Sequence, residues 1–100
     1  MKVMVTGGAG FIGSHLVDKL VANGDEITVV DNFSTGRFEN LKHTQNQIEI
    51  IEGDLSDLNY LRDLVKGKQL IFHLAALADI VPSIKNPKQY FKANVTGTLN

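Results

Sequence analysis

At 100 residues and a formal net charge of −1, the chain is one small unit without the basic field that would draw in nucleic acid or an anionic membrane. Its residues are 43% hydrophobic and 21% charged, as in ordinary globular proteins, and a chain this short buries about 60–65% of its unfolded surface. The absence of cysteine excludes disulfides and thiolate metal sites, and no apolar run approaches a membrane span or an export signal, so a cytoplasmic location is expected. The first apolar run, Val3-Met4-Val5, predicts a strand entering a glycine-rich turn. Behind the turn, Ile12, Leu16 and Leu20, with Val17 and Val21 beside them, give a helical apolar stripe that Asn23-Gly24 closes as a left-handed cap. A second strand covers about Glu26 to Asp31 and a third about Ile48 to Glu52. The polar stretch Asn32 to Gln47 between them predicts a loop with one short helical turn. Ser56 or Asp57 can cap a helix bearing Leu58, Leu61, Leu64 and Val65, which Gly67 ends. Leu70-Ile71-Phe72-His73-Leu74 is a continuous apolar strand, the pattern of a strand covered on both faces. Pro82 and Pro87 frame a loop and a helix start, and Tyr90, Phe91, Ala93, Asn94, Val95 and Leu99 belong to a last helix.

Strands alternating with helices imply right-handed crossovers and a parallel sheet. The fold class predicted is α/β: a Rossmann-like doubly wound parallel sheet, truncated to about four strands in the order 3-2-1-4. The ligand crevice of such a sheet lies beyond the carboxyl ends of the strands, at the switch between strands 1 and 4. The glycine turn, Asp31, Asp54 and His73 all fall at strand carboxyl ends.

Gly8, Gly10 and Gly13 fit the spacing G-x-G-x-x-G, while Gly7, Gly10 and Gly13 fit G-x-x-G-x-x-G. One glycine turns the chain sharply, a second lets backbone approach a pyrophosphate, and a third lets helix pack on sheet. The helix N-terminus then offers N–H groups and partial positive charge to phosphates. Asp31 ends the second strand roughly 20 residues beyond the glycines, where a ribose-binding acid is expected. Its carboxylate would accept from both ribose hydroxyls and repel a 2′-phosphate, which predicts NAD over NADP, with Arg37 close enough in sequence to soften the choice. The competing readings are structural: Asp31 as a solvated strand-end acid, Asp54 as a turn or cap residue after Gly53. His15, His43 and His73 lack metal-ligand spacing. His15 reads as structural and His73 as a packed strand-end residue.

Four segments together resemble one family, the extended short-chain dehydrogenase/reductases, and within it the NAD-dependent nucleotide-sugar epimerases and dehydratases. They are Thr6 to Leu16, Asp31-Asn32-Phe33-Ser34-Thr35-Gly36, Gly53-Asp54-Leu55 and His73-Leu74-Ala75-Ala76; Ala93-Asn94-Val95-Thr96-Gly97-Thr98 is a fifth, weaker match. The nearest resemblance is to UDP-glucose 4-epimerase-like proteins. It implies that Gly7, Gly10, Phe11, Ile12 and Gly13 form the pyrophosphate turn. Asp31 and Asn32 would meet the adenosine ribose, with Ser34, Thr35 and Gly36 at the same end. By the same resemblance Asp54 and Leu55 border the adenine, Leu74, Ala75 and Ala76 run beneath the nicotinamide half, and Asn94 is structural. After Ala76 the sequence departs from the family, with Leu77 and Asp79 where glutamine and serine are commoner; Ser83 fits.

The family's catalysis uses a tyrosine with a lysine four residues later. Tyr60 is followed at that spacing by Leu64 and Tyr90 by Asn94, so no catalytic residue is expected here. Residues 1–100 therefore read as the N-terminal part of an NAD-binding domain whose catalytic segment and substrate domain are absent. The alternatives are a non-catalytic dinucleotide-binding module, or the cofactor half of a related reductase acting on a non-sugar carbonyl. The expected partners are NAD and, in the full-length protein, a nucleotide sugar. Self-association is also expected, through an open strand-4 edge or exchange of the last helix.

Overall fold

The computed structural model of the protein describes residues 1–78 and 80–100. Strands β1 (Lys2–Thr6), β2 (Glu26–Asp31), β3 (Glu49–Glu52) and β4 (Leu70–His73) form one sheet in the order β3-β2-β1-β4. All three pairings are parallel, with Val3 opposite Ile27 on one side and Leu70 on the other, and Val29 opposite Ile50. Helix α1 (Phe11–Ala22) connects β1 to β2, and α2 (Leu58–Leu64) connects β3 to β4. A single 3-10 turn, Phe38–Leu41, interrupts the long β2–β3 connection. Beyond β4 come α3 (Ile80–Lys85) and α4 (Pro87–Phe91), the latter continuing through a π-helical segment, Lys92–Thr96, into α5 (Gly97–Leu99).

The alternation along β1 and β2 sorts their side chains between two layers. Val3, Val5, Ile27 and Val29 pack with Val17 and Leu20 of α1 and with Leu41, all buried. Met4 and Val30 face the other way and pack with Leu61 of α2. Each fully buried side chain of this size contributes about 1.5–3 kcal/mol relative to an exposed one, so β1, β2 and α1 hold most of the apolar stabilisation. Helix α1 ends where the sequence predicts: the Asn23 and Gly24 N–H groups donate to the Lys19 and Val21 carbonyls, and Gly24 adopts φ +80°. Helix α2 starts on Asp57, whose carboxylate accepts from the Tyr60 N–H at 3.3 Å.

Three expectations need correction. Ile12 does not belong to the buried stripe of α1; it is 72% exposed, and Gly13, Ser14, Val17 and Leu20 face the sheet instead. The helix begins on the turn itself, so its first residues overhang the strand ends before the axis settles on the sheet. Pro82 lies within α3 and not in a loop. It is the third residue, where a helix has no intrahelical partner for the N–H that proline lacks. Finally, β4 is not covered on both faces: Leu70 and Ile71 are 41% and 43% exposed at the edge of the sheet.

Candidate functional site

The carboxyl ends of all four strands open into one cleft. Its floor is the glycine turn. Gly7 leaves β1 at φ +73°, its N–H donating to the Val30 carbonyl at 2.9 Å, and a Cβ there would stand 2.7 Å from the Ala75 nitrogen. A Cβ on Gly13 would overlap the Gly7 carbonyl oxygen, so the helix can sit against the turn only with hydrogen at that place. Gly10 differs: a Cβ would meet nothing closer than the Gly7 oxygen at 3.4 Å, and the residue faces the cleft. Protein packing thus explains Gly7 and Gly13 and leaves open space over Gly10. Gly8 packs against Val29 beneath, so the turn follows the G-x-x-G-x-x-G spacing. The N–H groups of Phe11, Ile12 and Gly13, in the first turn of α1, have no intrahelical acceptor.

Asp31 forms one corner. It is only 9% exposed, its Oδ2 accepting from the Ala9 N–H at 3.0 Å and its Oδ1 from the Phe33 N–H at 2.8 Å. It is therefore not a solvated strand-end acid; it ties the glycine turn to the start of the next loop. Asn32 repeats the device one residue later, its Oδ1 accepting from the Ser34 N–H at 3.0 Å. These two turns hold Phe33 at φ +57°, uncommon for a bulky residue. The loop beyond is pinned back on the glycine turn, because the Arg37 N–H and the Asn40 Nδ2 both donate to the Ala9 carbonyl, at 3.0 and 2.8 Å.

Two further walls come from β3 and β4. The Gly53 N–H donates to the Asp31 carbonyl at 3.1 Å, while the Tyr60 ring fills the place of a Gly53 side chain and its hydroxyl donates to the Glu52 carbonyl. Asp54 makes a turn, accepting from the Ser56 N–H at 2.9 Å, and its other oxygen lies 3.9 Å from Lys92 Nζ. Hydrogen bonding from Ser56, backbone first and then side chain, holds its carboxyl below the usual carboxylate range, outweighing the opposing effect of burial, with the least contribution from the Lys92 charge. Opposite stands the strand exit 74–77. Asn94, in the π-helical segment, clasps Leu77 at both ends: its Oδ1 accepts from the Leu77 N–H and its Nδ2 donates to the Leu77 carbonyl, each at 2.8 Å. Asn100 reaches across to the Leu55 carbonyl at 3.0 Å. The last helix thus braces both walls.

The cleft encloses about 570 Å³ of space, part of it open to solvent. Of the residues the sequence nominates, Gly7, Gly10, Asp31, Asn32, Ser34, Thr35, Gly36, Asp54, Leu55, Ala75 and Ala76 line it. Gly13 lies beneath the turn, while Phe11 and Ile12 project outward at 77% and 72% exposure. Leu74 stands at the strand exit outside the lining. Val30, Gly53, Leu77 and Ala93 complete the lining without having been nominated. Val30 reads as core and Gly53 as turn; in the sequence Leu77 stands out only as a departure from the family and Ala93 only within the weaker fifth match. Asp79, marked in the sequence as a departure from the family, lies outside the described residues.

The histidines are apart. His15 stacks edge-on against Phe11, His43 bonds Asp18 at 2.6 Å, and His73 lies between Thr6 and Thr98. Among the described residues no group of three or more His, Asp or Glu side chains could hold a metal ion, and no helix is long and apolar enough to cross a membrane.

A parallel sheet of order 3-2-1-4, with a glycine turn at the switch between β1 and β4, defines the first half of a doubly wound nucleotide-site fold. Comparison with known proteins narrows the class: the chain belongs to the GDP-mannose 4,6 dehydratase family, whose sequence pattern matches residues 4–100. It is 46% identical to UDP-glucuronic acid decarboxylase 1 of Arabidopsis thaliana over 102 residues, covering 100% of this chain and 22% of that protein. The structure of UDP-glucose 4-epimerase from Thermotoga maritima with UDP-glucose superposes with a TM-score of 0.90 at 40% identity, over 99% of this chain and 32% of that one. The UDP-glucose 4-epimerase of Thermus thermophilus, in complex with NAD, does so with a TM-score of 0.87 at 38% identity, over 99% and 32%. The chain thus spans about a fifth to a third of the length of these relatives.

Proposed function

We propose that the cleft holds the adenosine and pyrophosphate of NAD. The observation that carries this reading is the convergence of four strand exits on one crevice, with space left over Gly10 and a fixed carboxylate at Asp31. The pyrophosphate would lie over Gly7 and Gly10 against the first turn of α1, served by the N–H groups of Phe11, Ile12 and Gly13. Each Asp31 oxygen accepts one backbone N–H and keeps a lone pair for a ribose hydroxyl. Asn32, Ser34, Thr35 and Gly36 would close the ribose end, Asp54 and Leu55 the adenine end, and Leu74, Ala75 and Ala76 would support the nicotinamide half. When bound, NAD supplies a hydride acceptor and donor; this chain binds and orients it.

Residues 1–100 are proposed as the first part of the NAD-binding domain of a longer nucleotide-sugar enzyme, UDP-glucose 4-epimerase-like or a dehydratase. The Tyr-x-x-x-Lys pair is missing from the sequence, so the chain by itself should turn over no nucleotide sugar. A cytoplasmic location belongs to the same proposal. Self-association through the exposed edge of β4 or the last helix does too, and sedimentation at rising concentration checks it.

Calorimetric titration of the 100-residue chain tests the cofactor reading. Saturable NAD binding, weaker for NADP and lost in Asp31→Ala, is expected. Equal affinity for NADP, or unchanged NAD binding in Asp31→Ala, overturns it.

A further inference from the structure

We infer that His73 is a positioning residue, held as the neutral Nε2–H tautomer by a one-way chain of hydrogen bonds that ties the end of β1 to the last helix and fixes the strand exit on the cleft. The helix end of the chain demands this tautomer, and the β1 end is consistent with it. At the β1 end, Thr6 Oγ1 receives the N–H of Ala75 at 3.3 Å and shares that of Leu74, at 3.1 Å, with the Thr6 carbonyl, at 3.0 Å. A hydroxyl has two acceptor lone pairs and one proton. With the Ala75 N–H and a share of the Leu74 N–H arriving at its lone pairs, Thr6 has its proton to give to the remaining partner, His73 Nδ1 at 2.6 Å, which is bare in that arrangement. At the helix end, Thr98 Oγ1 donates its proton to the Asn94 carbonyl at 2.6 Å. Its lone pairs face His73 Nε2 at 2.8 Å, which must therefore carry the hydrogen.

The direction of every donor is thus set: backbone N–H to Thr6, Thr6 to Nδ1, Nε2–H to Thr98, Thr98 to Asn94. The opposite tautomer would crowd three donors onto Thr6 Oγ1 and set two acceptors face to face at Thr98. The chain also meets the clasp on Leu77, because Asn94 gives its side chain to Leu77 and its carbonyl to Thr98. Ala75 and Leu77, both in the cleft wall, are held from the two ends of one network. Although His73 is exposed, its ring is the one link between β1 and the helix in this network.

The tautomer is read directly by long-range nitrogen–proton NMR of the full chain: a pyrrole-like Nε2 and a pyridine-like Nδ1 are expected. The opposite pattern, or a doubly protonated ring at neutral pH, overturns the inference. The positioning role is read from amide exchange at Ala75. His73→Leu should speed it by about fivefold, the loss of one hydrogen bond of ordinary worth, and His73→Asn should restore most of it by returning an acceptor where Nδ1 stands. An asparagine no better than leucine overturns the role. Should His73→Leu fail to fold, Thr98→Val serves: Nε2–H should persist and exchange faster with water, and an unchanged exchange rate counts against the chain. Only the consequence for affinity, a parallel loss of NAD binding in His73→Leu, rests on the proposed cofactor site. Absence of NAD binding in the wild type, with the Nε2–H tautomer and the asparagine rescue intact, refutes that site and supports the chain.

Discussion

The two flanks of β1 are held by different forces. Toward β2 the chain is joined by volume: Val3, Val5, Ile27, Val29 and Val17 fill one layer with no side chain more than slightly exposed. Toward β4 it is joined by direction: Leu70 and Ile71 remain exposed, and the strand exit is held by Thr6, His73, Asn94 and Thr98. Apolar packing is tolerant of exact angle and intolerant of added or lost volume. Hydrogen bonds are the reverse, indifferent to a spare methyl nearby and lost with one polar atom.

The largest test adds volume on the packed side. Gly13→Ala puts a methyl into the Gly7 carbonyl and 2.8 Å from the Gly8 Cα, backbone that cannot swing aside. It should cost about 3 kcal/mol in denaturant titrations; a loss comparable to a surface substitution would break the comparison. On the polar side, Asn94→Ala removes both bonds to Leu77 and should cost about 1–3 kcal/mol, with the Leu77 amide losing protection before the amides of β2. Uniform loss of protection across the sheet would mean that the two flanks are one cooperative unit.

Acid gives a smaller effect confined to the cleft wall. The Asp54 carboxyl lies below the usual range because Ser56 and Lys92 favour its charged form. A depressed value adds stability that is present above the unfolded carboxylate range and is lost as pH falls through the lowered value. Asp54→Asn should therefore flatten the acid limb of the stability profile in that window by lowering stability at neutral pH, with little change at the acid end where the wild-type carboxyl is already protonated. A steeper acid limb in the variant contradicts the assignment. Smallest of all, Leu70→Lys at the open edge should move stability by no more than about 0.5 kcal/mol while lowering the proposed self-association, with sedimentation as the measurement.

The same division explains what could be read from the sequence. Strands β1 to β4, their order and the caps at Gly24 and Asp57 follow from apolar runs, glycine spacing and turn residues, while most of the cleft lining is nominated by the resemblance to the family. Those signals are local, or repeat with the period of the element. The bonds that hold the β4 side join residues 17 to 69 positions apart, through side chains that look like surface threonine and asparagine. Nothing in the sequence near Thr98 announces a histidine 25 residues earlier. Pro82 misled for a related reason: proline marks a helix boundary, and its missing N–H fits the first turn as well as the loop before it.

The central place of β1 has a consequence for the growing chain. Its two neighbours arrive at different times: Lys2 finds Glu26 early, whereas Val3 must wait for Leu70. At the usual synthesis rate of roughly 5–20 residues per second, the stretch between β2 and β4 takes about 2–8 s to emerge. Through that interval one side of β1 stands open on the ribosome, beside a partner strand that already completes its other side. Whatever first shields that side, whether β4 or a foreign strand, decides between assembly and mispairing, and the polar latch around His73 can close only after the choice has been made.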